Sequence, residues 1–346
     1  MSILHLPYDI SGDIDQVIEQ LADQLGVIKG KNLLITGGTG FFGRWLLQIL
    51  CQINVKLGYE VGIYVLSRNP KSFLTSHPDY PFNNWVKFID GDVKNFVLPH
   101  MKVDYLIHMA TTAAFETYEG EDQLNKLDLL YSGTKNTLIQ SAHSGVERVL
   151  FTSSGVAYGP SNGKILSEED LSGPSTINTN SALGEGKRVA EYLVSYYADK
   201  FKYDFAIARC FSFFGPYLPL DIHYAIGNFV NDALSKKEIT IHGTGQDLRS
   251  YLYMADAWTW LLRMLFNANN QIFNVGSSNS ISIKDLAVLV GQTLSPAKPI
   301  NMLGKVGSIG NFARNIYIPD TNKIQNQLGV REITSLRSGI LKMANR

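Results

Sequence analysis

The sequence predicts a doubly wound α/β fold, a parallel sheet with helices on both faces, joined to a smaller mixed α/β domain. Three observations carry that expectation. Short apolar runs recur between helical segments at 32–36, 61–66, 86–89, 105–108, 148–152 and 205–209, the spacing of βαβ units. The first run leads directly into Thr36-Gly37-Gly38-Thr39-Gly40-Phe41-Phe42-Gly43, a glycine turn that opens onto a helix near Arg44. Beyond residue 210 the runs shorten and Gly, Asn and Pro become frequent, so the regular alternation is lost.

Taken in order, residues 1–30 form an N-terminal helical extension, with Ile14, Val17, Ile18, Leu21 and Leu25 at helical spacing. That apolar face needs a cover, either the main domain or a second copy of the chain. Residues 31–175 form the main, Rossmann-like domain, to which 203–212 and 250–268 return. The second domain takes most of 176–346. The most apolar long stretch, Tyr251 to Phe266, is interrupted by Asp256 and Arg263 and is too short to span a bilayer, so it reads as a buried helix.

Composition narrows the function. With 346 residues and 45% apolar side chains, the chain can bury a large core. Lys plus Arg equal Asp plus Glu at 31 each, so the overall field attracts neither nucleic acid nor an acidic membrane. Any anionic ligand must be held locally. Cys51 and Cys210 sit in apolar stretches and make no CxxC pair, and no HxxxH pair occurs, so no disulfide framework and no metal site are expected. The start lacks a basic segment followed by an apolar run, which fits a cytoplasmic protein. A homodimer is expected.

In the glycine loop each residue type has a reason. Gly37 permits the tight turn, Gly40 lets the backbone approach a pyrophosphate, and Gly43 lets helix and strand pack closely; Phe41 and Phe42 complete the loop. The helix N-terminus adds free N–H groups and positive potential. A nicotinamide dinucleotide is the expected cofactor. The second strand ends Ser67-Arg68-Asn69, where an Asp or Glu would bind a ribose diol and repel a 2′-phosphate. Ser67 and Arg68 can accept that phosphate, which favours NADP over NAD, although Arg68 could instead stack on the adenine or face solvent. Gly91-Asp92-Val93 follows the third strand; Asp92 could meet the adenine amino group or be an ordinary turn residue. Ala110 and Thr111, after the fourth strand, complete the expected cofactor wall.

Several segments together resemble the extended short-chain dehydrogenase/reductase family, whose members include epimerases, dehydratases, decarboxylases and ketoreductases of nucleotide sugars. They are TGGTGFFG at 36–43, GDV at 91–93, IHMA at 107–110, TSSGVAYG at 152–159, GEGKRVAE at 184–191, FFGP at 213–216 and GTGQDLRSYLYMAD at 243–256. The resemblance covers about residues 31–335. It implies that Ser154 hydrogen-bonds the reacting sugar oxygen and that Lys187 binds the nicotinamide ribose. The family's catalytic tyrosine, four residues before the lysine, would be at 183, where this chain has Leu183. Leucine moves no proton. Losing general acid–base help would cost roughly 10² to 10⁴ in rate. Tyr158, the nearest phenol in sequence to Ser154, either packs under the loop or serves as a substitute acid, and a binding homologue with little chemistry is an alternative.

The resemblance also narrows the reaction. Dehydratases of the family carry an Asp and a Glu where this chain has Gly155 and Val156, and decarboxylases carry a Glu at the second of these. Neither residue here can move a proton, so plain hydride transfer is expected: 4-keto reduction of a dTDP- or UDP-linked deoxysugar for surface polysaccharide such as O-antigen, or epimerisation. For the substrate's diphosphate the resemblance points to Arg249 and Arg314, and to Asn228 for phosphate or sugar.

Overall fold

The computed structural model describes residues 8–77, 85–111, 122–222, 224–267, 270–304 and 315–344. The six apolar runs become β1 (Asn32–Thr36), β2 (Gly62–Ser67), β3 (Val86–Asp90), β4 (Tyr105–His108), β5 (Arg148–Ser154) and β6 (Asp204–Cys210). Four short strands follow: β7 (Phe213–Phe214), β8 (Ile239–Ile241), β9 (Leu248–Ser250) and β10 (Leu252–Tyr253). Next comes β11 (Gln271–Val275), a seventh strand of the main sheet that lies beyond the segments expected to return to it. It pairs with β6 from Gln271↔Ala206 to Val275↔Cys210. Five residues after a long helix carry no periodicity of their own, and only this pairing makes them a strand.

The sheet runs β11-β6-β5-β4-β1-β2-β3 with every neighbour parallel. Strand order reverses between β1 and β4, which opens a crevice at the carboxyl ends of those strands. Around it lie α1 (Ser11–Gln20), α2 (Phe41–Leu57), α3 (Pro70–Ser76), α4 (Gln123–Asp128), α5 (Thr134–His143), α6 (Ala182–Phe201), α7 (Ala225–Ser235) and α8 (Met254–Asn267). Leu129–Gly133, between α4 and α5, is a wider π-helical turn. The chain closes with α9 (Ile283–Leu294), α10 (Asn322–Leu328) and α11 (Leu336–Ala344). Besides the β7–β10 pair, the short strands form two small sheets. In one, β9 lies between β12 (Ser280–Ser282) and β14 (Ile316–Tyr317); in the other, β8 pairs with β13 (Ile300–Met302).

The N-terminal helix is covered by its own chain. Ile14, Val17, Leu21 and Leu25 are buried in the main core, where α1 lies against α2 and α8. Its carboxylate Asp13 accepts the Tyr253 hydroxyl at 2.8 Å and pairs with Lys342 of α11. The apolar stretch at 251–266 is largely α8, nearly all buried. Its polar atoms find partners: the Asp256 carboxylate accepts the backbone N–H groups of Ile333 (3.1 Å) and Thr334 (2.9 Å), and Trp258 donates to the Phe42 carbonyl at 3.1 Å. No helix among the described residues is long and apolar enough to cross a membrane.

Candidate active site

A cleft of about 1110 Å³ runs along the carboxyl ends of the central strands, from the glycine loop to the wall made by β9 and β14. That is room for more than one drug-sized ligand. Among the described residues no group of three or more His, Cys, Asp or Glu could hold a metal ion.

The glycine loop follows from contacts a side chain would break. Gly37 has φ +72°, and a Cβ there would come within 2.9 Å of the Met109 carbonyl. At Gly43 a Cβ would lie 2.2 Å from the Gly38 carbonyl oxygen, so α2 packs directly onto the loop. Gly40 is different. Its nearest neighbour would be an ordinary 3.5 Å away, and it lines the cleft with Phe41 and Phe42. The α2 helix starts at Phe41, three residues earlier than expected, and no side chain caps it. Its first N–H groups are left for an anion, so the loop fits the pyrophosphate of a dinucleotide.

Ser67, Arg68, Asn69, Asp92, Val93, Ala110 and Thr111 all line the same cleft. Asn69 also caps α3, its side-chain oxygen accepting Ser72 N–H at 3.0 Å, and Asp92 accepts Lys94 N–H at 2.9 Å. Asp92 is thus a turn residue that also faces the cleft.

Ser154 is the last residue of β5 and lines the cleft, its hydroxyl oxygen accepting Val156 N–H at 3.3 Å. Leu183 and Lys187 stand one turn apart on α6, and both line the cleft. Two glycines bring α6 this close: a Cβ at Gly184 would lie 2.7 Å from the Val156 carbonyl oxygen, and one at Gly186 would lie 2.6 Å from Leu130. The Lys187 ammonium donates to the Thr152 carbonyl at 2.7 Å and lies 4.9 Å from the Phe151 ring centroid. Burial pulls it down to about 8, against the opposing pull of Cys210 and Glu191.

Tyr158 is not the substitute acid that its sequence position suggested. It is fully buried, its hydroxyl donates to Asn274 Oδ1 at 2.8 Å, and its ring lies 4.3 Å from the Arg209 guanidinium. Burial pushes its phenol up to about 12, and it does not line the cleft. The short 3₁₀ turn Gly155–Tyr158 carries its ring beneath the loop, against Leu166 and Phe211.

On the far wall, Arg249 lines the cleft while its Nη1 donates to the carbonyls of Leu248 (2.9 Å) and Asn315 (3.1 Å). Asn228 does not reach the cleft; Tyr224, Ala225 and Ile226 of the same segment do. The cleft meets only the start of α7, and Asn228 stands about 5–6 Å farther along the helix axis than Tyr224 and Ala225, the lining residues nearest its face. Arg314 lies outside the described residues. The wall includes side chains that the sequence reading passed over, among them Phe211, Tyr251 and Tyr317. Tyr317 stands three residues beyond Arg314 in sequence, but its place beside Arg249 depends on the pairing of β14 with β9.

The model of a family described as "NAD dependent epimerase/dehydratase family" matches residues 33–276. Among curated proteins the chain is similar to UDP-glucuronic acid decarboxylase 1 of Arabidopsis thaliana, 26% identical over 325 residues, covering 92% of this chain and 70% of the relative. Among solved structures it is similar in fold to the UDP-glucose 4-epimerase of Thermotoga maritima, determined with UDP-glucose (TM-score 0.74, 21% identity, 90% of this chain and 97% of that one). It is also similar to the UDP-glucuronic acid 4-epimerase of Bacillus cereus, determined with UDP-glucuronic acid and NAD (TM-score 0.74, 22% identity, 90% and 98%).

Proposed function

The chain belongs to the NAD dependent epimerase/dehydratase family, and from that premise we propose that it is an oxidoreductase acting at C4 of a hexose activated by a nucleoside diphosphate. The reading is carried by one continuous cleft, which runs from the glycine loop past Ser154 and Lys187 to Arg249 and has Gly155 and Val156 where elimination needs carboxylates. A bound nicotinamide supplies or accepts the hydride. Gly37, Gly40 and the start of α2 hold its pyrophosphate, Lys187 its ribose, and Ser154 the reacting sugar oxygen. Arg249 meets the substrate's diphosphate, with Arg314 as a second contact.

The substrate in this proposal is a dTDP- or UDP-linked 4-keto-6-deoxyhexose, reduced in the cytoplasm for surface polysaccharide such as O-antigen. NADP(H) is the preferred cofactor because Ser67 cannot repel a 2′-phosphate and Arg68 can pair with one. Residues 31–175, with the later segments of the main sheet, serve the cofactor, and most of 176–346 serves the sugar nucleotide. The assembly is a homodimer, supported by exposed apolar side chains on the adjoining α4 and α6: Leu124 is 72% and Tyr192 66% exposed.

Incubation with NADPH and dTDP- or UDP-4-keto-6-deoxyglucose tests the reading: absorbance at about 340 nm, the nicotinamide band, should fall as the sugar is reduced. Isomerisation of UDP-glucose with no net change in cofactor would instead favour an epimerase. Leu183 on the cleft wall favours a second reading, a cofactor- and nucleotide-binding homologue with little turnover. Binding of both ligands without turnover of any of these sugars would support it.

A further inference from the structure

We propose that Tyr317 moves the proton that Leu183 cannot, which makes it the catalytic acid and base of this chain. The inference rests on reading the cleft as a hydride-transfer site. Its physical basis is the space above Gly155. A Cβ at that position would lie 2.7 Å from the Tyr317 hydroxyl oxygen and 2.8 Å from two carbons of the Phe211 ring. The phenol therefore occupies the volume that a side chain beside Ser154 would fill, and only glycine admits it.

The packing of its ring and the pairing of its strand hold the phenol there. Its ring rests on Phe211, centroid to centroid 4.7 Å, and its strand pairs with β9 in a register that sets Tyr317 beside Arg249. Paired residues on neighbouring strands share a face, so the diphosphate-binding arginine and this hydroxyl look into the cleft together.

In the reducing direction, a reduced nicotinamide dinucleotide is the electron donor and is oxidised. Hydride adds to the sugar carbonyl carbon, and the carbon–oxygen π pair moves onto oxygen. The Tyr317 O–H bond breaks as a new O–H bond forms on that oxygen, with Ser154 holding it in line. The phenolate regains its proton from solvent. In the oxidising direction the same phenolate accepts the proton.

Tyr317→Phe keeps the ring on Phe211 and removes only the hydroxyl. With NADPH and dTDP-4-keto-6-deoxyglucose, kcat should fall roughly 10²- to 10⁴-fold, the range for general acid–base catalysis. NADPH and UDP binding, followed by fluorescence and calorimetry, should stay within a few fold. Gly155→Ala should produce the same loss with the hydroxyl present, by displacing it. Adding Leu183→Tyr to Tyr317→Phe should restore turnover. If Tyr317→Phe keeps the parent's kcat, the proposal is overturned while the redox reading stands. Loss of NADPH or UDP binding together with kcat would make Tyr317 a wall residue and equally overturn it. An inactive parent made active by Leu183→Tyr would mean that the cleft lacks its acid, which also overturns it. If neither the parent nor Leu183→Tyr turns over any dTDP- or UDP-sugar, the redox reading itself fails and this inference falls with it.

Discussion

Arg209 on β6 grips Glu191 on α6 with both arms of its guanidinium, Nε to Oε1 at 3.0 Å and Nη2 to Oε2 at 2.7 Å, and both residues are buried. The same carboxylate accepts the Ser153 hydroxyl at 2.5 Å. It thereby fastens the helix carrying Leu183 and Lys187 to the strand end carrying Ser154. Glu191→Ala would leave a buried guanidinium unpaired, a change that typically costs about 3–5 kcal/mol. Urea denaturation should report a loss of that size. A loss below about 1 kcal/mol, the level of an exposed ion pair, would mean that water enters and replaces the carboxylate.

Lys187 bears on stability with a definite sign. Its ammonium is ordinary at 10.5 when unfolded and about 8 when folded, so the folded state binds it less readily. The group's relative contribution is most favourable above pH 10.5 and is lost as pH falls through 8, leaving a penalty near neutrality of about 3 kcal/mol. Lys187→Met should therefore raise stability at pH 6.5 while abolishing turnover. The gain should shrink by roughly 2 kcal/mol by pH 9.5, where the parent's amine has lost its proton in the folded state while the unfolded chain still largely keeps it. A gain that does not change with pH would mean that the amine keeps its proton when folded.

For Arg249 the expected effect is selective. Its guanidinium lines the cleft, and charge-assisted bonds to phosphate are worth about 1.5–3 kcal/mol, so Arg249→Ala should weaken UDP and dTDP binding roughly tenfold or more. NADPH affinity should not follow. If both ligands weaken together, the arginine supports the wall through its bonds to the Leu248 and Asn315 carbonyls rather than binding the diphosphate.

The proposed homodimer is read most directly by light scattering. Tyr192 and Tyr196 stand exposed one turn apart on α6, near exposed Leu124 on α4. A Tyr192→Asp, Leu124→Asp double variant should run as a monomer with the parent's circular dichroism, because charges at the centre of an apolar interface lack partners. An unchanged mass for parent and variant, whether monomer or dimer, would exclude this face as the interface.

Much of the fold was legible because its signals are local. The six apolar runs became β1 to β6 within a residue or two at each end, and Gly37 and Gly43 show close contacts of the kind their positions in the loop required. What escaped was decided by distant pairing. Gln271–Val275 became a strand only through β6, and Tyr317 reached the cleft only through β9, about seventy residues earlier in the chain. Of the two readings open for Tyr158, the packed one holds, and a distant partner decides it. Its hydroxyl partner, Asn274, lies 116 positions away, so nothing near it in sequence marks it as a core residue.

In the proposed function, cofactor choice turns on one exposed side chain. The second strand ends at Ser67, whose hydroxyl oxygen accepts Asn69 N–H at 3.3 Å, and Arg68 follows at the rim of the cleft. None of Ser67, Arg68 and Asn69 is a carboxylate that would repel a 2′-phosphate, while the guanidinium among them can form charge-assisted bonds to one. NADPH should therefore bind more tightly than NADH, with most of the preference carried by Arg68. Arg68→Ala should weaken NADPH roughly tenfold to a hundredfold, nearer the lower end because water screens an exposed charge, and leave NADH within a few fold. Fluorescence titrations at two salt concentrations separate the causes. A phosphate contact loses strength as salt rises, whereas stacking on the adenine does not. Equal losses for both cofactors would mean that Arg68 reads the adenine, and a parent that prefers NADH would overturn the assignment.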